Sequence, residues 1–233
     1  MIYVMSDLHG EYDKYLAMLE KIGFSEEDDL YIVGDVLDRG RHPVKILRDM
    51  AARPNVWPLL GNHELMAMDI LPALMTEITE ENCESCLNRD VMAALLEWQG
   101  DGGETTLEEF YRLSKEERMD VLDYLQEFEA YAVVDAGERT FLLVHAGLGN
   151  FTSDKPLKNY TLAELAFSRM DYDREYFTDE TVYIITGHMP TLSLCGKAEI
   201  YHCGRNICID CGAVFPKGRL ACLCLDTMEE FYV

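Results

Sequence analysis

Five short apolar runs punctuate the chain, and each stops abruptly at polar residues. Met1-Ile2-Tyr3-Val4-Met5 gives way to Ser6-Asp7-Leu8-His9-Gly10, and Leu30-Tyr31-Ile32-Val33 to Gly34-Asp35-Val36-Leu37-Asp38-Arg39-Gly40. The run at 56–60 leads to Gly61-Asn62-His63-Glu64, that at 141–144 to His145-Ala146-Gly147, and that at 182–185 to Thr186-Gly187-His188. Bounded stretches of this length, rich in Val and Ile, predict strands buried on both faces. Helical periodicity fills the gaps between the early runs. Tyr15, Leu16, Leu19 and Ile22 form one stripe that stops at Gly23, a residue suited to a helix C-cap. Pro43 suits a first helical position and is followed by Val44, Ile46, Leu47 and Met50, with a break before Arg53-Pro54. A third helix is expected over 64–71. The first 75 residues therefore alternate strand and helix, which predicts a layered β-α-β-α architecture.

Residues 76–129 contain no strand-like run. Helices are expected at 91–98, closed by Gln99-Gly100-Asp101-Gly102-Gly103, and after Ser114, where Ser114-Lys115-Glu116-Glu117 has capping-box spacing. The segment reads as a helical insertion or cap beside the sheet, inside one domain spanning 1–233, and such regions often carry substrate choice. Further on, 130–134 and 139–144 flank Asp135-Ala136-Gly137-Glu138, which predicts a hairpin. Thr161-Leu162-Ala163-Glu164 again has capping-box spacing and opens a short helix expected to reach Arg169.

Hydrophobic content of 48% is ample for a core, yet no apolar stretch approaches the ~20 residues of a membrane span. The first strand starts at Met1 without a basic leader, so a cytoplasmic location is expected. With 43 acidic against 20 basic residues the net charge is −23, which argues against nucleic acid and anionic membranes as partners. The acidic stretches at 26–29, 77–84 and 108–129 read as solvated faces, with guidance of a basic peptide as the alternative. Two C-x-x-C pairs, Cys83/Cys86 and Cys208/Cys211, invite a zinc reading. Cys208 and Cys211 lie in an alternating stretch, however, and point to opposite faces, while Cys222 and Cys224 resemble small core residues. Reduced thiols are the expectation.

The chemistry lies where the apolar runs finish, because ligands bind at the carboxyl ends of such strands. Asp7, His9, Asp35, Asn62, His145 and His188 offer carboxylates, an amide oxygen and imidazoles, with no thiolate. That set suits Mn²⁺, Fe or Zn²⁺ at five or six coordination. Six ligands exceed what one catalytic ion uses while keeping an open position, so two ions bridged by a carboxylate fit better, with Asp35 the natural bridge.

These blocks, in this order and spacing across 1–188, resemble the five signature blocks of the metallophosphoesterases, above all the phosphoprotein phosphatase branch with its phage lambda-type serine/threonine phosphatases. Ile209-Asp210-Cys211-Gly212-Ala213-Val214-Phe215 is similar to a further block near that family's C-terminus, with Cys211 where the family more often has Thr. The resemblance implies a calcineurin-like fold, a mixed β-sheet sandwich flanked by helices. It places Asp7, His9 and Asp35 on one metal and Asp35, Asn62, His145 and His188 on the other. It makes His63 the general acid, held by Asp38, and gives the phosphate to Arg39, Arg169 and Asn62. Two Mn²⁺ ions are the expected cofactor, with Fe, Zn²⁺ or Co²⁺ tolerated.

The implied enzyme hydrolyses phosphate monoesters on protein serine or threonine through a hydroxide that bridges the two metals; small phosphorylated compounds are the other substrate class. Symmetrical cleavage of dinucleoside polyphosphates such as diadenosine tetraphosphate is the alternative, although those relatives tend to carry Ala at the position of Asp38 and Asp at that of Glu64. A catalytically inactive binding protein is the remote alternative, and no ligand is missing to support it. Bland readings stand beside the sharp ones. Asp38 would cap a turn, Arg169 would be a surface residue, Glu64 would brace the metal loop, and His42 and His202 match no block. Oligomeric state leaves no mark on the sequence.

Overall fold

The computed structural model describes residues 1–75 and 89–233. Its first sheet is built from β1 (Ile2–Met5), β2 (Asp29–Val33), β3 (Val56–Leu59), β9 (Ala221–Cys224) and β10 (Glu230–Tyr232), in the order β10-β9-β1-β2-β3. The second contains β4 (Ala132–Ala136), β5 (Arg139–Leu143), β6 (Val182–Thr186), β7 (Tyr201–Cys203) and β8 (Asn206–Cys208), in the order β4-β5-β6-β8-β7. Each sheet has a parallel centre, β1-β2-β3 in one and β5-β6-β8 in the other, with antiparallel strands outside it.

Side-chain alternation sorts each strand between two cores. Val4, Val33, Phe141, Leu143, Ile185, Ile207 and Leu223 meet in the layer between the sheets. Tyr3, Met5, Leu30, Ile32, Cys222 and Cys224 face the helices outside the first sheet, and Leu142, Ile184 and Cys208 face the loops outside the second. Both faces of the central strands are thus covered, which explains why the runs read as nearly continuous apolar stretches. Cys208 and Cys211 do fall in different cores, and all six cysteines among the described residues are free thiols. Cys83 and Cys86 lie outside the described residues.

Helices α1 (Tyr12–Ile22), α2 (Pro43–Ala51) and α3 (Asn62–Met75) cover the first sheet. They are followed by α4 (Arg89–Trp98), a π turn (Gln99–Gly103), α5 (Glu104–Arg112) and α6 (Lys115–Leu125). Trp98, Leu107, Phe110, Val121, Leu122 and Leu125 of this segment join the core formed by α3 residues Ala67, Ile70 and Leu71. The expected capping box is present, with Ser114 Oγ accepting from Glu117 N–H and Glu117 Oε2 accepting from Ser114 N–H. Among the described residues no helix is long and apolar enough to cross a membrane.

Of the boundaries that differ from those read in the sequence, three bear on how the chain enters or leaves a turn. α3 starts at Asn62 rather than Glu64, so the third donor block is the first turn of a helix. The hairpin turn shrinks to Gly137-Glu138, because β4 runs on through Ala136 and Gly137 adopts φ 62°. The short helix α7 (Leu162–Ala166) ends three residues before Arg169, since Phe167 at φ −118° leaves the helical region.

Candidate metal centre

Four of the strands deliver a donor with one offset, while β3 ends three residues before Asn62. β1 ends at Met5, two residues before Asp7; β2 at Val33, two before Asp35; β5 at Leu143, two before His145; β6 at Thr186, two before His188. The carboxyl ends of the parallel strands of both sheets therefore open on one region. Backbone bonds stitch the loops together, with Asp7 N–H donating to Gly34 O and His9 N–H to Asp35 O. His145 reaches across from the second sheet, its Nδ1–H donating to Val33 O of the first at 2.9 Å.

Asp35 occupies the middle. Its Oδ2 lies 3.3 Å from His145 Nε2, 3.7 Å from His9 Nε2 and 3.9 Å from His63 Nε2. Among the described residues two groups, each with ligand atoms within 4.8 Å of one another, are capable of holding an ion: His9 with Asp35 and His63, and Asp35 with His145 and His188. Asn62 Oδ1 joins the second group, 3.1 Å from His145 Nε2 and 2.9 Å from His188 Nδ1. Asp7 stands beside the groups, where its carboxylate accepts the backbone N–H of His188 at 3.0 Å. Only glycine fits at 187, because a Cβ there would lie 2.1 Å from Asp7 Oδ2.

The donor set fits divalent cations on two grounds. With Nδ1–H committed to Val33 O, His145 turns the lone pair of Nε2 toward Asp35 Oδ2 and Asn62 Oδ1. Acceptors facing acceptors in a buried site need a proton or a cation between them. Without an ion, His145 answers by protonation: burial opposes its charge, but Asp35 beside it lifts its pKa to about 10. Burial lowers His9 to about 3 and His188 to about 4, leaving both neutral and able to ligate. Burial also opposes ionisation of Asp35, yet the neighbouring imidazoles hold it well below the usual carboxylate range. The second ground is strain. Asp7, His9, Asp35, Asp38, Arg39 and His188 all have φ between 39° and 71°, a left-handed region costly for such residues and concentrated at functional sites.

Around this centre lie the residues expected to handle phosphate and proton. His63 is fully buried, and its Nδ1 is 2.6 Å from Asp38 Oδ2. Burial works against its charged form, but Asp35 and the Asp38 hydrogen bond prevail and raise its pKa. Arg39 donates from Nη1 to His9 Nε2 at 2.8 Å and from Nη2 to His63 Nε2 at 2.9 Å. While those rings are neutral, a cation thus already meets their Nε2 lone pairs. Arg169 lies exposed on the loop after α7, and its charge contributes to the lowered pKa of His188. Glu64 braces the loop, its two oxygens accepting the N–H groups of Asp35, Val36, Leu37 and Gly61. His42 and His202 pair with surface carboxylates, Glu109 and Glu230.

Sequence reasoning missed four residues here. Asp210 follows β8 by the same two-residue offset, is buried, and is pushed by that burial to about 6. Trp98 Nε1–H donates to Asp38 Oδ2 at 2.7 Å, and Thr106 Oγ1–H to Asp38 Oδ1 at 2.5 Å. Asp101 pairs with Arg39 Nη2 at 3.1 Å and lies 3.6 Å from His63 Nε2. A lone Trp ahead of Gly-Asp-Gly-Gly was the available signal for the last three, and it reads equally as a helix end.

Comparison with known proteins adds three findings. The model of the calcineurin-like phosphoesterase family matches residues 1–217. A symmetrical bis(5'-nucleosyl)-tetraphosphatase of Wigglesworthia glossinidia brevipalpis is 33% identical over 99 residues, which cover 41% of this chain and 36% of that protein. The chain therefore spans about a third of the length of the curated relatives it matches. In fold it is similar to a crystal structure provisionally described as a diadenosine tetraphosphatase, with TM-score 0.67 and 15% identity over 100% of this chain and 92% of that one. It is also similar to a cold-active protein-tyrosine phosphatase of a Shewanella species, with TM-score 0.52 and 16% identity over 99% and 79% of the two chains.

Proposed function

This chain belongs to the calcineurin-like phosphoesterase family, and from that premise we propose that it is a two-metal hydrolase that cuts dinucleoside polyphosphates symmetrically. The observation that carries the two-metal part is Asp35, shared by both donor groups. The substrate part is supported by the curated relatives, symmetrical bis(5'-nucleosyl)-tetraphosphatases that align with 41% of this chain. In this reading residues 1–233 act as one catalytic unit. Asp7, His9 and Asp35 hold one divalent ion; Asp35, Asn62, His145 and His188 hold the other, with Mn²⁺ the first choice for this oxygen and imidazole set. When bound, the ions supply the positive charge that acidifies a water and offsets charge on the phosphoryl oxygens. Arg39 and Arg169, with the Asn62 amide, grip those oxygens, Arg39 exchanging Asp101 for phosphate. His63 keeps Nδ1–H on Asp38 and presents Nε2 to the leaving oxygen as proton donor.

Hydrolysis of protein phosphoserine and phosphothreonine is the second reading, and one observation favours it. A buried His63–Asp38 pair is of most use for an alkoxide, which leaves poorly without a proton, and of less use for a nucleoside diphosphate. The sequence ranks the two readings the other way round, on Asp38 and Glu64. Glu64 binds backbone inside the loop, however, and so carries no information on what lies outside it. The test compares diadenosine tetraphosphate with phosphoserine and phosphotyrosine peptides, each with Mn²⁺ added. Higher kcat/KM on the dinucleotide, with ADP as sole product, is the expected result; a preference for either peptide would reverse the assignment.

A further inference from the structure

Two residues of the helical segment after α3 meet the reaction centre at Asp38. Asp38 is fully buried, and its two oxygens accept three hydrogen bonds. Oδ2 takes His63 Nδ1–H at 2.6 Å and Trp98 Nε1–H at 2.7 Å, while Oδ1 takes Thr106 Oγ1–H at 2.5 Å. The Thr106 hydroxyl also accepts the backbone N–H of Asp38 at 3.0 Å, so that one hydroxyl fixes both the main chain and the carboxyl of this residue. We propose that Trp98 and Thr106 are positioning residues for the proton donor His63, acting through Asp38. The proposal rests on the reading of His63 as proton donor.

Geometry supplies the reason. A carboxylate turns about its terminal torsion with little resistance, and one anchored only by His63 would carry the ring with it. Donors on both oxygens remove that freedom. Each is itself fixed: Trp98 is 1% exposed, and a Cβ on Gly103 would lie 2.6 Å from its ring. Thr106 is wholly buried on α5. The π turn between Trp98 and α5 adds a further tie, since Arg39 N–H donates to Gly102 O at 2.9 Å. A π turn inserted in a helical segment is a frequent marker of a functional position. Trp98 and Thr106 bond to Asp38 and belong to neither donor group. Their effect is on where His63 Nε2 points.

Mn²⁺-loaded protein should be assayed on phenyl phosphate, whose leaving group needs a proton, and on 2,4-dinitrophenyl phosphate, whose leaving group does not. Thr106→Val and Trp98→Phe are expected to lower kcat on phenyl phosphate about tenfold or more, within the range that general acid catalysis supplies, and to spare the dinitrophenyl ester. Thr106→Ser should keep the wild-type ratio. In the metal-free protein, the His63 Nδ1–H proton is identified by its loss in His63→Asn. Its NMR signal should lie far downfield in the wild type and Thr106→Ser, and move upfield or broaden away in Thr106→Val. Equal losses on both esters, or an unmoved proton signal in Thr106→Val, would overturn the proposal. If His63→Asn itself leaves the ester ratio unchanged, the proton-donor reading fails and takes the proposal with it. If only His63→Asn changes the ratio, the positioning role alone is wrong.

Discussion

At the scale of single residues, the site depends on Asp35 in a way it depends on no other donor. Its Oδ2 faces His9, His63 and His145 together, so its loss damages both ion positions. Asp35→Asn is expected to reduce bound Mn²⁺ from two equivalents per chain to one or fewer, measured by elemental analysis, and to lower kcat by about a thousandfold or more, as befits a group serving the main source of electrostatic stabilisation. Retention of two equivalents would remove Asp35 from its bridging role. The candidate donors are legible in the sequence because each follows an apolar run within a few residues. Trp98, Asp101 and Thr106 were not, since they meet Asp38, Arg39 and His63 across 38 to 68 positions of chain, and no local pattern marks such a contact. Asp210 was visible only as part of a block, without a role.

At the scale of elements, α7 shows how a short helix is held where the site needs it. Thr161 and Glu164 form a capping box, and Glu164 also accepts from Lys155 Nζ at 2.7 Å and Asn150 Nδ2 at 3.0 Å. Ala146, next to His145, donates its N–H to Leu165 O, so the helix steadies a donor loop. These bonds, the Lys155 contact first, lower the Glu164 pKa to about 2. Because the folded-state value is depressed, the stabilisation is complete above the ordinary value near 4.5 and fades as pH falls toward 2. Protection factors of the α7 amides, measured against the intrinsic exchange rate at each pH, are therefore expected to fall between those limits in the wild type, and those of Glu164→Gln to be lower at neutral pH with little further change on acidification. Thr161→Ala should cost about 1 kcal/mol in the same measurement. The capping box was readable from four residues. The early stop at Ala166 was not, because Phe167, Ser168 and Arg169 beyond it continue a plausible helix.

At the scale of the molecule, the donors come from both sheets: Asp7, His9, Asp35 and Asn62 follow strands of the first, His145 and His188 strands of the second. Ions bound between them would tie the sheets together, and ligands that bind only the folded state stabilise it. Chelation should lower the melting temperature, and added Mn²⁺ should restore it. Phe141→Ala, which empties a fully buried position between the sheets, should cost about 3–5 kcal/mol and weaken Mn²⁺ binding at a distance. Short continuous apolar runs predicted strands covered on both faces, but such runs alone do not say whether helices or a second sheet cover them; the likeness of the donor blocks to a known family supplied the two-sheet arrangement. The central claim is a pair of cations sharing Asp35, and anomalous diffraction from a Mn²⁺-soaked crystal tests it most directly. Two peaks flanking the Asp35 carboxylate, one beside His9 and the other beside His145 and His188, are expected; a single peak, or peaks out of reach of Asp35, would contradict it.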